Sequence, residues 1–431
     1  MKLRLKTKYT GLLAITLLAA GAAPLPAQQA YTLEECVEQA LQNNIRIKNA
    51  DNDLRAAELQ RKSAFTNYFP TVSATGLAFG STEGLMQVDM APGERLSMLK
   101  HGAAGGVVAT VPLFTGGQIV HGNQLAKVGV EASRLRRRQS EDEVRLTAEQ
   151  YFWQVAMLKE KRRTIDQLQE QLARLCSDAE AAVEAGVAQR NDLLQARLRA
   201  NETRSSRVSV DNALATARRL LAQYMGCPAD SIDVAATMDG GLPEPPDALY
   251  RSPADALPQT AAYGLLGKDV EANRLQYKMT RGKNLPTVAL GGGYMYDNFT
   301  DKDRPYWIGG VTVSLPLTKW WGGSHEMKRQ RLQVSNAENR LKDQGELLVI
   351  RMQNAWSALS DAYLQVGIAV ESIAQSQENL RLQADSYQAG TCTMSDLLEA
   401  QSLYQQARDK YVESYAQYEI RKREYLQATG R

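Results

Sequence analysis

The residues of this chain that could do chemistry are few, and their spacing argues against most of the chemistry they could do. Of the three histidines, His121 and His325 stand 204 positions apart, with no carboxylate or cysteine at ligand spacing, so no metal centre is expected. Cys36, Cys176, Cys227 and Cys392 are scattered in the same way. One pair, Cys36 with Cys227, is expected to meet where the start of one helix lies beside the end of another, and a disulfide there suits an oxidising compartment. No nucleophile motif, phosphate loop or catalytic dyad is present, so neither an enzyme nor a bound cofactor is expected. What remains is acidic. Asp396 with Glu399, and Asp192 with Gln195, sit at predicted helix starts at the three-residue spacing of a capping box. The basic runs 136–138 and 421–423 read as solvated helix faces.

The elements that position these residues begin after an export signal. Lys2, Arg4, Lys6 and Lys8 precede an uncharged apolar stretch from Tyr9 to Ala23 and the small-residue segment Pro24 to Ala27. That order is a secretory signal peptide, residues 1–27, with cleavage expected after Ala27 and no cysteine there to carry a lipid. Removing those four cations takes the formal charge of the 431-residue chain from +3 to −1, which leaves nucleic acid without its electrostatic argument. No later run is long enough for a transmembrane helix. A β-barrel evades that test, because its strands alternate apolar and polar.

The rest of the chain is one design used twice. "EAGVAQRNDLLQAR" from Glu184 returns as "QAGTCTMSDLLEAQ" from Gln388, and Gly186 to Gly390, Asp192 to Asp396 and Pro112 to Pro316 all share an offset of 204. The first repeat is read as residues 28–226, with a β-hairpin at about 71–114. A Pro- and Gly-rich crossover follows at 227–251, and the second repeat occupies 252–431, with a hairpin at about 286–318. The strands alternate: Trp307, Gly309, Val311, Val313, Leu315 and Leu317 fall on one face, as do Val288, Leu290, Tyr294 and Tyr296, and Val107, Ala109, Val111 and Leu113. A lipid-facing barrel wall and a soluble sheet with one buried face both fit that pattern. Four strands cannot close a barrel, so the first reading requires several copies of the chain.

The helices carry a different period. Leu341, Gly345, Leu348, Met352, Ala355, Leu359, Ala362 and Val366 alternate steps of four and three, with a stutter expected at Val370 before Ile373, Gln377, Leu380, Ala384 and Tyr387. Leu158, Ile165, Leu168, Leu172, Leu175, Ala179 and Ala182 do the same in the first half. The 67 proline-free positions between Gly323 and Gly390 predict a helix roughly 100 Å long. Shorter return helices are expected from Asp192 to Met225 and from Asp396 to Ala428, with two more at Leu33 to Tyr68 and Pro253 to Lys283.

In this order, "TLEECVEQALQNN", "YFPTVSATG", "VPLFTGG" and the paired "AG…DLL" segments resemble the TolC family of outer-membrane efflux channels across essentially the whole mature chain. The resemblance implies a mainly α fold with a transmembrane β part. The two-repeat protomer would be one third of a trimeric, twelve-stranded outer-membrane β-barrel, continued by a long coiled-coil α-barrel in the periplasm. It implies a homotrimer in outer-membrane lipid that meets a periplasmic adaptor and an inner-membrane transporter, as the exit duct of a tripartite efflux or type I secretion system. Carried onto this sequence, the adaptor-contacting tips are Ala185, Gly186 and Val187 with Ala389, Gly390 and Thr391. The pore constriction falls on Asp396 and Glu399, and the gate on Asp192 and Tyr387. The family often places an arginine where this chain has Cys392, so the closed-state lock is altered here. The competing reading is a soluble periplasmic coiled-coil scaffold or adaptor without a pore.

Overall fold

A computed structural model describes residues 29–431 apart from positions 84, 92, 93, 99, 229–231, 237, 300, 301 and 318. The export signal lies outside the described residues. In chain order the elements are β1 (Gln29–Tyr31), α1 (Leu33–Asn43), α2 (Ile45–Thr66), β2 (Thr71–Gly80), β3 (Met86–Ala91), β4 (Glu94–Met98), β5 (His101–Phe114), α3 (Gln118–Glu184) and α4 (Arg190–Met225). They continue with β6 (Ile232–Val234), α5 (Pro253–Ala256), α6 (Ala261–Gly282), β7 (Thr287–Asp297), β8 (Arg304–Ser314), α7 (Lys319–Gln388) and α8 (Met394–Ala428). The two long helices run 67 and 70 residues. The described chain forms two compact units that do not coincide with the two repeats, because each draws segments from both halves.

The first unit holds residues 29–44, 144–246 and 359–423. Its core is a set of coiled-coil seams. Leu158, Ile165, Leu168, Leu172 and Ala179 are buried along α3, and Leu359, Ala362 and Val366 along α7. Beyond Val366 the expected stutter is absent. Ala369 is buried, Ile373 and Ser376 are half-buried, and Gln377 is exposed, so the steps of four and three continue without a break. Small residues carry the seam there, and reading apolarity by size pointed to Val370 instead. The long first helix expected from Leu33 is broken at Asn44, whose backbone is extended. The break serves the end of α4, where Asn43 Nδ2 donates to the Met225 carbonyl and Asn44 Nδ2 to the Tyr224 carbonyl, both at 3.1 Å. These bonds occupy carbonyls that have no partner inside their own helix. The crossover contributes β6, which pairs in parallel with β1.

The second unit holds residues 45–143, 247–358 and 424–431. Its sheet has the order β2-β5-β7-β8, antiparallel throughout, which leaves β2 and β8 as unpaired edges. The register aligns the alternating faces. Val107 lies opposite Tyr294, which lies opposite Trp307, and Val111, Leu290 and Val311 align in the same way. One continuous apolar face results, on which Tyr294 and Trp307 meet edge to face with ring centroids 5.3 Å apart. That face is open: Trp307 is 80% and Val311 61% exposed. A second antiparallel pair, β3 with β4, occupies the longer loop of the first hairpin and carried no clear sequence signal. After β5 the chain turns at Gly116, whose φ of 63° and contact with the Gly282 backbone leave no room for a Cβ. The ion pairs Arg137 with Asp51 and Lys268 with Glu131 link neighbouring helices. No described helix is long and apolar enough to cross a membrane.

Candidate functional site

Two helical hairpins of the first unit end in matching turns. At the end of α3, Gly186 takes φ 72° and the Val187 amide donates to the Ala182 carbonyl at 2.9 Å. At the end of α7, Gly390 takes φ 71° and the Thr391 amide donates to the Ser386 carbonyl at 2.9 Å. Both are left-handed glycine caps in which the residue after the glycine bonds back five residues, and both glycines have open space around them, so conformation rather than crowding selects glycine. The expected tip residues Ala185, Gly186 and Val187, with Ala389, Gly390 and Thr391, are all exposed.

Behind the turns the hairpins share a small core of Ala179, Leu193, Ala196 and Met394, with Leu175, Cys176, Val183, Tyr387 and Leu398 packed on it. Beside this core lies a cavity of about 910 Å³, lined by residues of α3, α4, α7, α8 and both turns. Asp192, Tyr387 and Cys392 all line it. Burial pushes the Tyr387 phenol up, helped by the negative charge of Asp192 and Asp178. Cys392, standing where an arginine was expected, directs its Sγ to the Gln383 carbonyl at 3.4 Å.

Asp396 and Glu399 do not line this cavity; both are exposed on α8. The capping box expected between them is formed one turn earlier. Thr393 donates from its amide (2.9 Å) and hydroxyl (2.7 Å) to Asp396 Oδ2, and the Asp396 amide donates back to Thr393 Oγ1 at 3.3 Å. The Thr393 side chain, and then its amide, hold the Asp396 carboxyl below its usual range. The spacing of three was correct, but a box needs a hydroxyl at the cap position, and Thr393 supplies it. The mirrored box on Asp192 and Gln195 is not made: the equivalent cap residue is Gln189, which gives no side-chain cap. The expected disulfide is not present either. Cys36 and Cys227 are both free; Cys36 is fully buried, which pushes its thiol up to about 12 with Glu35 and Cys227 adding to the effect, and Cys227 turns to the Met225 carbonyl.

The sequence profile of the outer membrane efflux proteins matches residues 36–227 and 267–431, most of the chain. This chain belongs to that family. The fold agrees. The outer-membrane channel OprN superposes with a TM-score of 0.79 at 19% identity, covering 92% of this chain and 89% of that one. VceC of Vibrio cholerae gives 0.78 at 14% identity over 92% and 96%, and CmeC of Campylobacter jejuni gives 0.78 at 17% over 92% and 85%. Comparison with curated proteins gives no match. Family membership assigns the chain to the outer membrane and to an efflux role.

Two features of this efflux protein were not found from its sequence. Tyr404, Tyr411, Tyr418 and Tyr425 recur every seven residues along α8. In the first unit Tyr411 donates to the Gly241 carbonyl at 3.0 Å and Tyr418 to the Glu244 carbonyl at 2.5 Å; in the second, Tyr425 accepts from the Arg251 amide at 2.9 Å. The Pro- and Gly-rich crossover is thereby pinned to α8, and the seven-residue tyrosine spacing was the available signal. The other feature is a buried charged cluster between α3 and α8. Glu149, 14% exposed, faces Arg423 at 3.7 Å. Burial raises the Glu149 carboxyl to about 7, against the pull of Arg423 and Arg145.

Proposed function

We propose that this efflux protein is a trimeric channel-tunnel. Three copies of the four-stranded sheet would close one barrel in the outer membrane, and the long helices would continue it through the periplasm as an α-barrel. The observation that carries this reading is the sheet itself, which has two unpaired edges and an exposed, one-sided apolar face that includes Trp307 and Val311. In lipid an open edge leaves backbone groups without partners, at a cost of several kcal/mol per group, so the edges must be paired by other copies. A soluble scaffold would have to leave the same face in water.

The glycine turns would form the periplasmic end, with Ala185, Gly186 and Val187, and Ala389, Gly390 and Thr391, meeting the hairpins of a periplasmic adaptor that in turn holds an inner-membrane transporter. Exposure of all six supports this placement. Asp396 and Glu399, both exposed, would make two rings of carboxylates at the constriction, with Asp192 and Tyr387 behind them as gate residues. The test is envelope fractionation with electrophoresis before and after boiling, followed by planar-bilayer conductance. A heat-labile, trimer-sized band from the outer membrane that forms pores is expected; a soluble monomer would overturn the reading.

A further inference from the structure

The sheet of the second unit meets its helices at an end that is basic and aromatic at once. The four stretches that join it to α2, α3, α6 and α7, residues 60–70, 111–124, 275–286 and 315–325, contain six lysines and arginines and no aspartate or glutamate. Five of the six, Arg61 and Lys62 on α2 with Lys278, Arg281 and Lys283 at the end of α6, are exposed. None of these five takes part in an ion pair among the described residues, and Glu326, the first acid along α7, is bonded to Arg329 at 2.5 Å. The opposite end of the sheet has the other sign, since the hairpin ends 81–100 and 297–304 carry six acidic and four basic residues. Exposed rings accompany the cations. Phe65 packs edge to face on Tyr68 and Phe69, with centroids 5.6 and 5.5 Å away, and all three stay open. Beyond β8 the apolar face continues through exposed Leu315 and Leu317 to Trp321, itself 80% exposed.

We propose that this collar binds anionic phospholipid headgroups in the leaflet nearest the helices. The aromatic rings mark the boundary between hydrocarbon and headgroups, continuous with the apolar face of the sheet. Arg61, Lys62, Lys278, Arg281 and Lys283 lie within about two helical turns of that boundary, roughly 10 Å, where long basic side chains reach the phosphates. Cations near helix C-termini also favour the helix dipole, but that role is indifferent to which lipid surrounds the protein. The proposal rests on the channel reading and adds the lipid that the channel selects.

The test reconstitutes the full-length protein in phosphatidylcholine vesicles with a trace of spin-labelled phosphatidylglycerol or spin-labelled phosphatidylcholine. The motionally restricted fraction of each label gives their relative affinities for the protein surface. Phosphatidylglycerol is expected to be preferred about fivefold at low ionic strength, the effect of one basic side chain near an anionic surface, and the preference should shrink as salt is raised. Replacing all five cations by glutamine should bring the two lipids to equal affinity. Exchanging lysine for arginine and arginine for lysine at the same five positions keeps the charge and should keep the preference, which separates headgroup binding from a folding defect. Inorganic phosphate should lower the preference no more than chloride at matched ionic strength. Equal affinity of the two lipids in the unaltered protein, a preference that survives the glutamine variant, or selective displacement by phosphate would each overturn the proposal. If the protein restricts phosphatidylcholine without preferring phosphatidylglycerol, only this proposal fails; if it restricts neither lipid, the channel reading fails with it.

Discussion

Thr393 and Asp396 join the turn to α8 through three reciprocal hydrogen bonds, and that work needs the carboxylate ionised. Its lowered pKa means that the box contributes at neutral pH and is lost as pH falls through the folded value. Thr393→Ala removes the hydroxyl, and loss of a threonine cap is expected to cost about 1 kcal/mol, seen as a lower denaturation midpoint at pH 7. Glu149 behaves in the opposite sense. With its pKa raised to about 7 from 4.5, the folded state keeps a proton that the unfolded chain has released, so this group's contribution is full below pH 4.5 and is lost as pH rises through 7. The change amounts to about 3 kcal/mol across that window. Glu149→Gln should flatten the slope of stability against pH between those values, and an unchanged slope would remove Glu149 as its source. The second effect was not legible in the sequence. A glutamate inside a heptad pattern reads as a solvated face until its neighbours Arg145, Glu419, Lys422 and Arg423 are placed around it.

The helices and strands were more legible. The long helices, the return helices and the strands β5, β7 and β8 follow from periods of seven and two. The errors came where side chains compete for backbone groups. Asn43 and Asn44 break the helix after Leu33 because their amides serve the carbonyls of Met225 and Tyr224, far away in sequence. Tyr411 and Tyr418 act in the same way on the crossover. In the Tyr411→Phe, Tyr418→Phe double variant the Gly241 and Glu244 carbonyls lose their partners, at about 1–2 kcal/mol for each bond. Amide hydrogen exchange over residues 239–251 should quicken while the coiled-coil seams of α3 and α7 stay protected. Uniform quickening of both would make the tyrosines general packing residues and not pins for the crossover.

For the whole molecule the consequence of the proposed trimer is electrostatic. Asp396 and Glu399 would each be presented three times around one axis, and such rings favour cations. The Asp396→Ala, Glu399→Ala double variant is expected to lose cation preference in planar-bilayer reversal potentials while the pore still forms. Unchanged selectivity would leave Asp396 with its capping role alone. The first half cannot supply the same ring, because Gln195 stands where the second half has Glu399.

What this sequence determined by itself is everything carried by period and repetition. Alternation marked one apolar face on each strand, heptads marked the seams, and the 204-residue offset paired the two glycine turns, since these depend on local geometry that near neighbours in the chain impose. The tertiary structure decided what depends on partners distant in sequence. It gathered Asp192, Tyr387, Cys392 and Gln401 around one cavity and buried Glu149 against Arg423. Such contacts are set by how helices cross, and no spacing along a single helix encodes that.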